Sequence, residues 1–448
     1  MSNHFCIFGC MKKKRLLVAI CVGFAIASIA LMCQIDDANG IDNVMHFQRT
    51  FDLNRDSLGS EMWLEVEKNE SVKICLDSKV RAWETSLDNG VLNDSCLKIQ
   101  IPTLIGVYPI NVKFYDSDSA CKINLAVGMK YLDLKNEEVL LGFNNYTEQD
   151  IRMFQHINED PERLVSITGT YLIDKYPVTN CEIIQTMWDS IPLQPTYPGG
   201  FFKDLAELWI LRKKASVRYE NCPVHDTAAS SIFLFQAIKY ANERSKREGL
   251  KPYYVFSKTT KDNQAIISRK KYIISYLDFN NPNDVYIQVS VDESSDGYRL
   301  PYYDEWMMFA RGGDKKKRAI WGNYSSSLQQ AQMYANFGIG NGYTQPVGQL
   351  KPNGYGLYDI FGLVWEHVLF EEDNPFSVQR GSPSCLKGGN NRALLEPTLE
   401  VTYEPYWKII NYGYSAPNYT GGRAEGFRLI RNIGNNAKWS EIKTVDEN

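Results

Sequence analysis

The feature that most limits how this chain can fold is the lack of regular periodicity beyond about residue 164. Only residues 230–247 and 304–311 have the apolar spacing of helices. Much of the remainder is rich in Gly, Asn, Tyr and Pro, which favour turns and loops. A long loop-rich stretch needs packing between loops, aromatic cores or bound ions to hold it. We therefore expect a domain with little regular secondary structure.

Residues 47–127 have a different pattern, in which apolar and polar side chains alternate with a period of two. The apolar positions are Leu97, Ile99, Ile101, Ile110, Val112, Phe114, Ile123, Leu125 and Val127. This alternation predicts short strands, and turn-rich pieces separate them at the spacing of an antiparallel sandwich. The later strands resemble an immunoglobulin-like module. A spacer or adhesion module and a β-domain of another type both remain open.

The N-terminus has the composition of a targeting segment. A basic cluster at residues 12–15 precedes a charge-free apolar run from Leu16 to Cys33. The run is of intermediate length, so it is typical of either an export signal or an anchor helix. Cys33 lies where a bacterial lipoprotein would carry its lipidated cysteine, and Met11 is a possible start. We expect a protein of the cell envelope, anchored, lipidated or secreted, that faces away from the cytoplasm.

Charge and cysteine content narrow the partners and the compartment. The formal net charge of −4 provides no positive field for a phosphate backbone, so we expect no nucleic-acid partner. The chain has ten cysteines. Six of them follow the apolar run, and their pairing is left open by the sequence: Cys75, Cys96, Cys121, Cys181, Cys222 and Cys385.

A series of short motifs after residue 164 carries a family resemblance. They are YLIDKYPVTN at 171–180, GYRLP at 297–301, EW at 305–306, ARGG at 310–313, WG at 321–322, ANF at 335–337, PVG at 346–348, PNGYGLYD at 352–359, FGLVWE at 361–366 and GFRLIR at 426–431. In this order they resemble the formylglycine-generating-enzyme, or sulfatase-modifying factor, family. The resemblance implies an α+β, C-type-lectin-like fold with low regular secondary structure.

The same resemblance implies structural calcium. It places one site at Asp359, Gly362, Val364 and Glu366, where two carboxylates flank two chain carbonyls, and oxygen ligands of this kind suit Ca²⁺. Asn336 and Phe337 resemble the start of a second site. Among the other motif residues, Arg299 is expected to be a buried structural guanidinium, because its five donors can tie several loops together.

In this chain, the residues at the catalytic centre depart from the family's pattern. The resemblance implies that active members bind copper(I) through two cysteines five residues apart and convert a substrate cysteine to formylglycine. Cys385 falls on the first position, but Asn390 occupies the second, and no cysteine follows Cys385. Copper(I) prefers thiolates, so the two-thiolate centre needs Cys181 or Cys222 to complete it. A second alignment, anchored on Lys387, Gly388 and Gly389, loses both cysteines.

Two functions follow as alternatives. The first is an envelope protein that binds an exported protein or a polysaccharide, or has a structural role, and lacks the copper centre. The second is a divergent copper-dependent oxidase with Cys385 as its catalytic thiol. The expected layout is a signal or anchor segment at 1–40, a β-sandwich at 41–130, a linker at 131–163, the family domain at 164–434 and a tail at 435–448.

Overall fold

The computed structural model divides the chain into two units, Met1–Met45 and His46–Asn448. Within the second unit it describes residues 48–87, 89–93, 95–117, 120–141, 163–190, 215, 218–219, 221–230, 232, 234–260, 274–277, 285–313, 332–336, 345–369, 384–387 and 425–444. The expected targeting segment at 1–40 lies outside these residues. None of the helices in the described ranges is long and apolar enough to cross a membrane.

The first part of the described chain is a two-layer β-sandwich. Its elements are β1 (Gln48–Leu53), α1 (Arg55–Leu58), β2 (Glu61–Val66), β3 (Ser71–Leu76), β4 (Val80–Glu84), β5 (Asn89–Asn93), β6 (Cys96–Gln100), β7 (Gly106–Phe114) and β8 (Ala120–Val127). One sheet has the order β1-β3-β6-β5 and the other β2-β8-β7-β4. The strands predicted from alternation are confirmed. The immunoglobulin-like relationship stays a prediction.

The two sheets enclose one core, as the period-two pattern requires. Ile74, Ile99, Ile110 and Leu125 are completely buried between them, because alternate side chains of each strand point to the same face. A disulfide joins Cys75 to Cys96, which are direct partners on β3 and β6. The sandwich is thus stabilised by its own core and its own cross-link.

The second part is built on small sheets and short helices. Its strands are β9 (Met129–Leu141), β10 (Arg163–Asp174), β11 (Tyr254–Thr260), β12 (Ile274–Leu277), β13 (Val285–Val291), β14 (Trp365–Leu369), β15 (Ser384–Lys387), β16 (Glu425–Gly426) and β17 (Ile430–Thr444). They form three sheets of three strands, in the orders β17-β10-β9, β11-β13-β12 and β15-β14-β16. The expected α+β class is consistent with this mixture of strands and helices.

Three helices accompany these sheets: α2 (Asn180–Met187), α3 (Leu234–Arg247) and α4 (Tyr303–Arg311). The two that periodicity predicted, α3 and α4, are confirmed. The sequence did not predict α2, which is only two turns long, although Thr179 and Glu182 form a capping box at its start. A short 3₁₀ segment, Trp188–Ser190, follows it.

The ends of the second part differ from the expected layout. Residues 131–141, expected to be linker, belong to β9, and residues 435–444, expected to be tail, belong to β17; both strands pair with β10. Their polar composition concealed them, and in β9 the polar positions 133, 135, 136 and 138 are exposed while Leu134 and Val139 are buried. The remainder of the expected linker, residues 142–162, lies outside the described ranges.

The sandwich is packed directly on the second part. Only Gly128, in a left-handed conformation with φ +68°, separates β8 from β9. Lys68 forms an ion pair with Glu182 of α2 at 2.5 Å, and both side chains are almost completely buried. Glu248, just after α3, accepts a hydrogen bond from the Val107 amide of β7 at 3.2 Å. The two parts therefore share a polar interface that includes a buried ion pair.

Candidate functional site

The loop that carries the predicted calcium ligands, residues 359–366, runs from the end of the PNGYGLYD motif into the start of β14. Asp359 and Gly362 both have left-handed backbone conformations, with φ +52° and +73°. The Leu363 amide donates to the Asn336 carbonyl at 3.1 Å, so the loop lies against the ANF motif. A Cβ on Gly362 would lie 2.5 Å from that carbonyl oxygen. Glycine is required here both by the φ angle and by the close approach.

Glu366 is completely buried on β14 and is the counter-ion of a completely buried arginine, Arg428. Its Oε1 accepts from Arg428 Nε at 2.8 Å and Nη2 at 2.6 Å. Its Oε2 accepts from the same Nε at 2.8 Å and from Trp306 Nε1 at 2.7 Å. Both oxygens are thus occupied, and a guanidinium cation stands against them. As placed, Glu366 does not fit the role of a calcium ligand.

Arg428 also ties the surrounding segments together. Its Nη2 donates to the Tyr358 carbonyl at 2.9 Å, and its Nη1 donates to the Asp174 carbonyl at 3.2 Å. The guanidinium therefore links the end of β10, the PNGYGLYD loop and β14 through one buried charge. The sequence flagged the GFR motif but did not predict this role. The signal was available, since an arginine inside an apolar motif needs a buried partner.

Asp359 is a second buried carboxylate of this loop. Its Oδ2 accepts a hydrogen bond from the Gly348 amide at 2.6 Å, which connects the loop to the PVG motif. Burial raises the pKa of Asp359, and the nearby Glu366 carboxylate raises it further. Tyr358, the preceding residue, stacks obliquely on Tyr176 with ring centroids 5.0 Å apart. The carboxylate is therefore held at the edge of a small aromatic cluster.

The remaining predicted ligands are only partly placed. Asn336 pairs with Gly362 in an isolated bridge, and its side-chain Oδ1 is buried without a hydrogen-bond partner. Val364 is buried in the same loop. Phe337 lies outside the described residues. In the part of the chain that is described, no group of three or more His, Cys, Asp or Glu side chains could hold a metal ion. The calcium ion stays a prediction.

Cys385, the predicted catalytic thiol, lies within β15. The strand is antiparallel to β14, with Cys385 opposite Val368 and Lys387 opposite Glu366. β15 ends at Lys387, directly before Gly388 and Gly389. The backbone therefore brings the position of Cys385 next to the Glu366 strand.

The two cysteines that could have completed a thiol pair are bonded to each other. Cys181, in the first turn of α2, and Cys222 form a disulfide, and both are buried. The Cys181 amide also donates to Asp226 Oδ2 at 2.7 Å, which fixes the loop after Cys222 to the start of α2. The structure thus does not bring either sulfur to Cys385 as a free thiol.

A completely buried histidine lies beside Glu366 on β14. The Nε2 of His367 is 2.6 Å from the Ile232 carbonyl, and its Nδ1 has no hydrogen-bond partner. Burial lowers the pKa of His367 to about 4. The ring is therefore neutral near pH 7, and Nε2 carries the proton that it donates to the carbonyl. No motif in the sequence indicates a role for this residue.

Two other buried ion pairs hold the framework of the site. Arg299 donates to both oxygens of Glu305 at 2.7 Å, which confirms the prediction of a buried structural guanidinium. Arg244 donates to both oxygens of Asp174, at 2.8 and 2.9 Å. The first contact is a fork of two nitrogens and the second uses Nη1 alone, and both fix the relative positions of helices and strands. They account for the order of a domain with so little regular structure.

Comparisons with known proteins agree with the motif series. The model of the sulfatase-modifying factor enzyme 1-like domain matches residues 136–433. The chain is 34% identical over 241 residues to the chaperone protein LppX of Paenibacillus barcinonensis, which covers 49% of this chain and 71% of that protein. It is 38% identical over 115 residues to the formylglycine-generating enzyme of Mus musculus.

The overlap with the mouse enzyme is short, at 21% of this chain and 30% of the enzyme's own length. Among solved structures, Treponema denticola variable protein 1 aligns with 71% of this chain and 98% of its own, at 19% identity and a TM-score of 0.42. The matched range 136–433 begins within β9 and ends within β17, so it includes the second half of the strand that lay in the expected linker.

Proposed function

Because the chain belongs to the sulfatase-modifying factor enzyme 1-like domain family, we propose that it is a binding or structural protein of the cell envelope and not a two-thiolate copper oxidase. The family domain supplies a rigid scaffold, and the exposed loops of that scaffold supply the contacts. The ligand that we favour is an exported protein. A polysaccharide is the second choice.

The disulfide between Cys181 and Cys222 carries this proposal. The matched range 136–433 contains three cysteines, Cys181, Cys222 and Cys385. Two of them are consumed by the disulfide, so a single thiol remains for copper(I). The second alignment, which is anchored on Lys387, Gly388 and Gly389, contains neither cysteine. These residues do not fit a two-thiolate centre.

A binding role draws support from one relative. The Paenibacillus barcinonensis protein, over 71% of whose length this chain aligns, is named a chaperone protein. A chaperone recognises another protein chain, and amphipathic aromatic loops suit that task. The tyrosine-rich segment at 403–419 is the part of the sequence with this composition, and it lies outside the described residues.

An envelope location draws support from the disulfides. Cys75–Cys96 in the sandwich and Cys181–Cys222 in the family domain are both bonded. Structural disulfides persist in oxidising compartments outside the cytoplasm and are rare inside it. The basic cluster and apolar run at residues 12–33 would supply the export signal or anchor. Both observations point to the same side of the membrane.

The first experiment tests the loss of oxidase chemistry. The full chain is loaded with copper(I) and incubated with oxygen and a sulfatase-type Cys-x-Pro-x-Arg peptide, which is then weighed by mass spectrometry. We expect the peptide to keep its thiol, while the mouse formylglycine-generating enzyme converts it. Formylglycine that disappears in Cys385→Ser would overturn the proposal in favour of a divergent oxidase.

The second experiment tests binding. Reduced, unfolding lysozyme serves as an exported model protein, and its aggregation is followed by light scattering with and without the full chain. We expect suppression at near-equimolar ratios. The copper-loaded mouse enzyme at equal concentration is the control for unspecific crowding. Unchanged aggregation, together with retention of the chain on a polysaccharide column, would show that the ligand is a polysaccharide and not an exported protein.

We also propose that a structural calcium ion binds where the 359–366 loop lies against Asn336. The unpartnered Asn336 Oδ1 and the Asp359 carboxylate, which belongs to the loop whose Gly362 bridges to Asn336, supply hard oxygen donors, whereas Glu366 is held by Arg428. We expect calcium to raise the melting temperature of the wild type but not that of Asn336→Ala. Equal stabilisation of both proteins would show that Asn336 is not a calcium ligand. No stabilisation of either protein would show that the chain does not bind calcium as a structural ion.

A further inference from the structure

The Cys181–Cys222 disulfide lies at the junction between the sandwich and the family domain. Cys181 is the second residue of α2, and the next residue, Glu182, is the partner of Lys68 from the sandwich. Glu182 Oε2 also accepts from the Thr179 amide at 2.9 Å. The first turn of α2 is thus both one end of the disulfide and the place where the sandwich inserts its buried lysine.

The other end of the disulfide also contacts the sandwich. The Cys222 amide donates to Thr103 Oγ1 at 3.2 Å, and Thr103 Oγ1 lies 3.4 Å from Asn221 Oδ1. The residue before Thr103, Pro102, accepts a hydrogen bond from the Asn69 amide, next to Lys68. Both sulfur-bearing segments therefore touch the same small surface of the sandwich, around residues 68–69 and 102–103.

We propose that the Cys181–Cys222 disulfide is a redox-controlled latch for the sandwich. When it is closed, the loop that begins at residue 221 and the first turn of α2 form one rigid surface, and Lys68 and Thr103 dock on it together. When it is open, the loop is still held to α2 by hydrogen bonds from the Cys181 amide to Asp226 and from the Asn180 amide to the Thr227 carbonyl, but the covalent link beside Thr103 is gone. Thr103 then loses a fixed partner, and the junction loosens while each part keeps its own core.

The chemistry of the latch is a thiol–disulfide exchange. Closing forms one Sγ–Sγ bond from two thiols and releases two protons and two electrons. A protein or small-molecule disulfide accepts them and is itself reduced to two thiols. Because Cys181 and Cys222 are each less than 5% exposed, exchange requires the loop to open first. The latch therefore closes once, on arrival in an oxidising compartment, and resists reduction while the sandwich is docked.

The sandwich disulfide provides a matched control. Cys75–Cys96 joins two neighbouring strands of one sheet of the sandwich, and neither cysteine takes part in the described contacts of the junction. Opening it should destabilise β3 and β6 without freeing the surface around Thr103. We therefore expect that opening one disulfide loosens the junction and that opening the other loosens β3 and β6.

The test is amide hydrogen exchange on the full chain, read by mass spectrometry, for the wild type and two double variants. In Cys181→Ser/Cys222→Ser we expect exchange about tenfold faster in residues 101–107 and 179–187, with β3 and β6 unchanged. In Cys75→Ser/Cys96→Ser we expect the reverse. Unchanged exchange at the junction in the first variant, or equal acceleration there in both, would overturn the latch.

A second arm guards against variants that fail to fold. The folded wild type is treated with graded dithiothreitol, and each disulfide is followed by thiol alkylation and peptide mapping. We expect acceleration in residues 101–107 and 179–187 to track the reduction of Cys181–Cys222 alone. Acceleration that tracks Cys75–Cys96, or that spreads at once over the whole chain, would contradict the proposal.

Discussion

His367 is the residue whose protonation should couple stability to pH. Burial lowers its pKa from the ordinary 6.5 to about 4. The unfolded chain therefore binds the proton more readily between these values, so the stabilisation is complete above pH 6.5 and is lost progressively as pH falls towards 4. From pH 7.5 to pH 5, we expect the free energy of unfolding to fall by about 2 kcal/mol through this residue alone.

The matched variant is His367→Gln, which keeps an N–H group that can reach the Ile232 carbonyl but does not titrate. Chemical denaturation at pH 7.5 and pH 5 gives the free energy of unfolding of both proteins. The fall for the variant should be smaller than that for the wild type by the amount that His367 contributes. Equal falls would show that the ring is not buried in the neutral form.

At this scale, the sequence predicts types of residue better than their partners. Arg299 was predictable as a buried guanidinium because its partner, Glu305, lies only six positions away in the same motif series. For Arg428 the apolar motif signals burial, but the partner was not predictable, because Glu366 lies 62 positions away. The spacing of Asp359 and Glu366 suggested two ligands for one ion, but spacing cannot show that an arginine from another segment occupies one of the carboxylates.

At the scale of elements, the polar C-terminal residues of β17 contribute to the central sheet. Residues 438–444 pair with Arg163–Thr168 of β10, with one register shift on the way. Val165 and Ile167 on that part of β10 are buried in the core formed with α4. The C-terminal residues therefore cover an edge of a central strand, although their composition alone is typical of a tail.

Deleting residues 437–448 should therefore destabilise the folded domain. The deletion removes the hydrogen-bonding partners of β10 over its first six residues, at about 0.5–1.5 kcal/mol for each bond. We expect a loss of at least about 2 kcal/mol in denaturant unfolding. Deleting only residues 445–448, beyond the end of β17, is the control and should change little. Equal stability of the two truncated proteins would show that the pairing beyond residue 437 contributes nothing.

The elements that the sequence did predict share one property. β6, β7, β8, α3 and α4 each carry a clear apolar face over at least two turns or four residues. α2 is too short for periodicity to show, and β9 and β17 gain their stability from β10, which lies between them. Their pairing is a long-range property, and no local pattern encodes it.

On the scale of the whole molecule, the sandwich is part of a common framework with the family domain. Lys68 from the sandwich and Glu182 from α2 have side chains that are only 2% and 3% exposed. Burial acts to raise the pKa of Glu182, but the charge and hydrogen bond of Lys68, together with the Thr179 amide, lower the pKa overall. A flexible spacer would not bury a charge in this way, because an unpaired buried charge is costly.

The last prediction concerns this ion pair. Lys68→Met leaves a buried carboxylate without its cation, so we expect a loss of about 3–5 kcal/mol in the free energy of unfolding. Adding Glu182→Gln should recover part of that loss, since the second change removes the uncompensated charge. Lys113→Met is the control: Lys113 and Glu84 are also 2.5 Å apart, but both are exposed, and its loss should stay below about 1 kcal/mol.

The measurement is denaturant unfolding followed by one probe in each part, since Trp83 lies in the sandwich and Trp306 in the family domain. If the interface couples the two parts, both probes shift together in Lys68→Met, because the Glu182 carboxylate that is left unpaired lies at their shared interface. In Lys113→Met both should stay near the wild-type midpoint. Two outcomes would show that the buried pair does not join the two parts. In the first, only the sandwich probe shifts in Lys68→Met. In the second, the losses of Lys68→Met and Glu182→Gln simply add in the double variant.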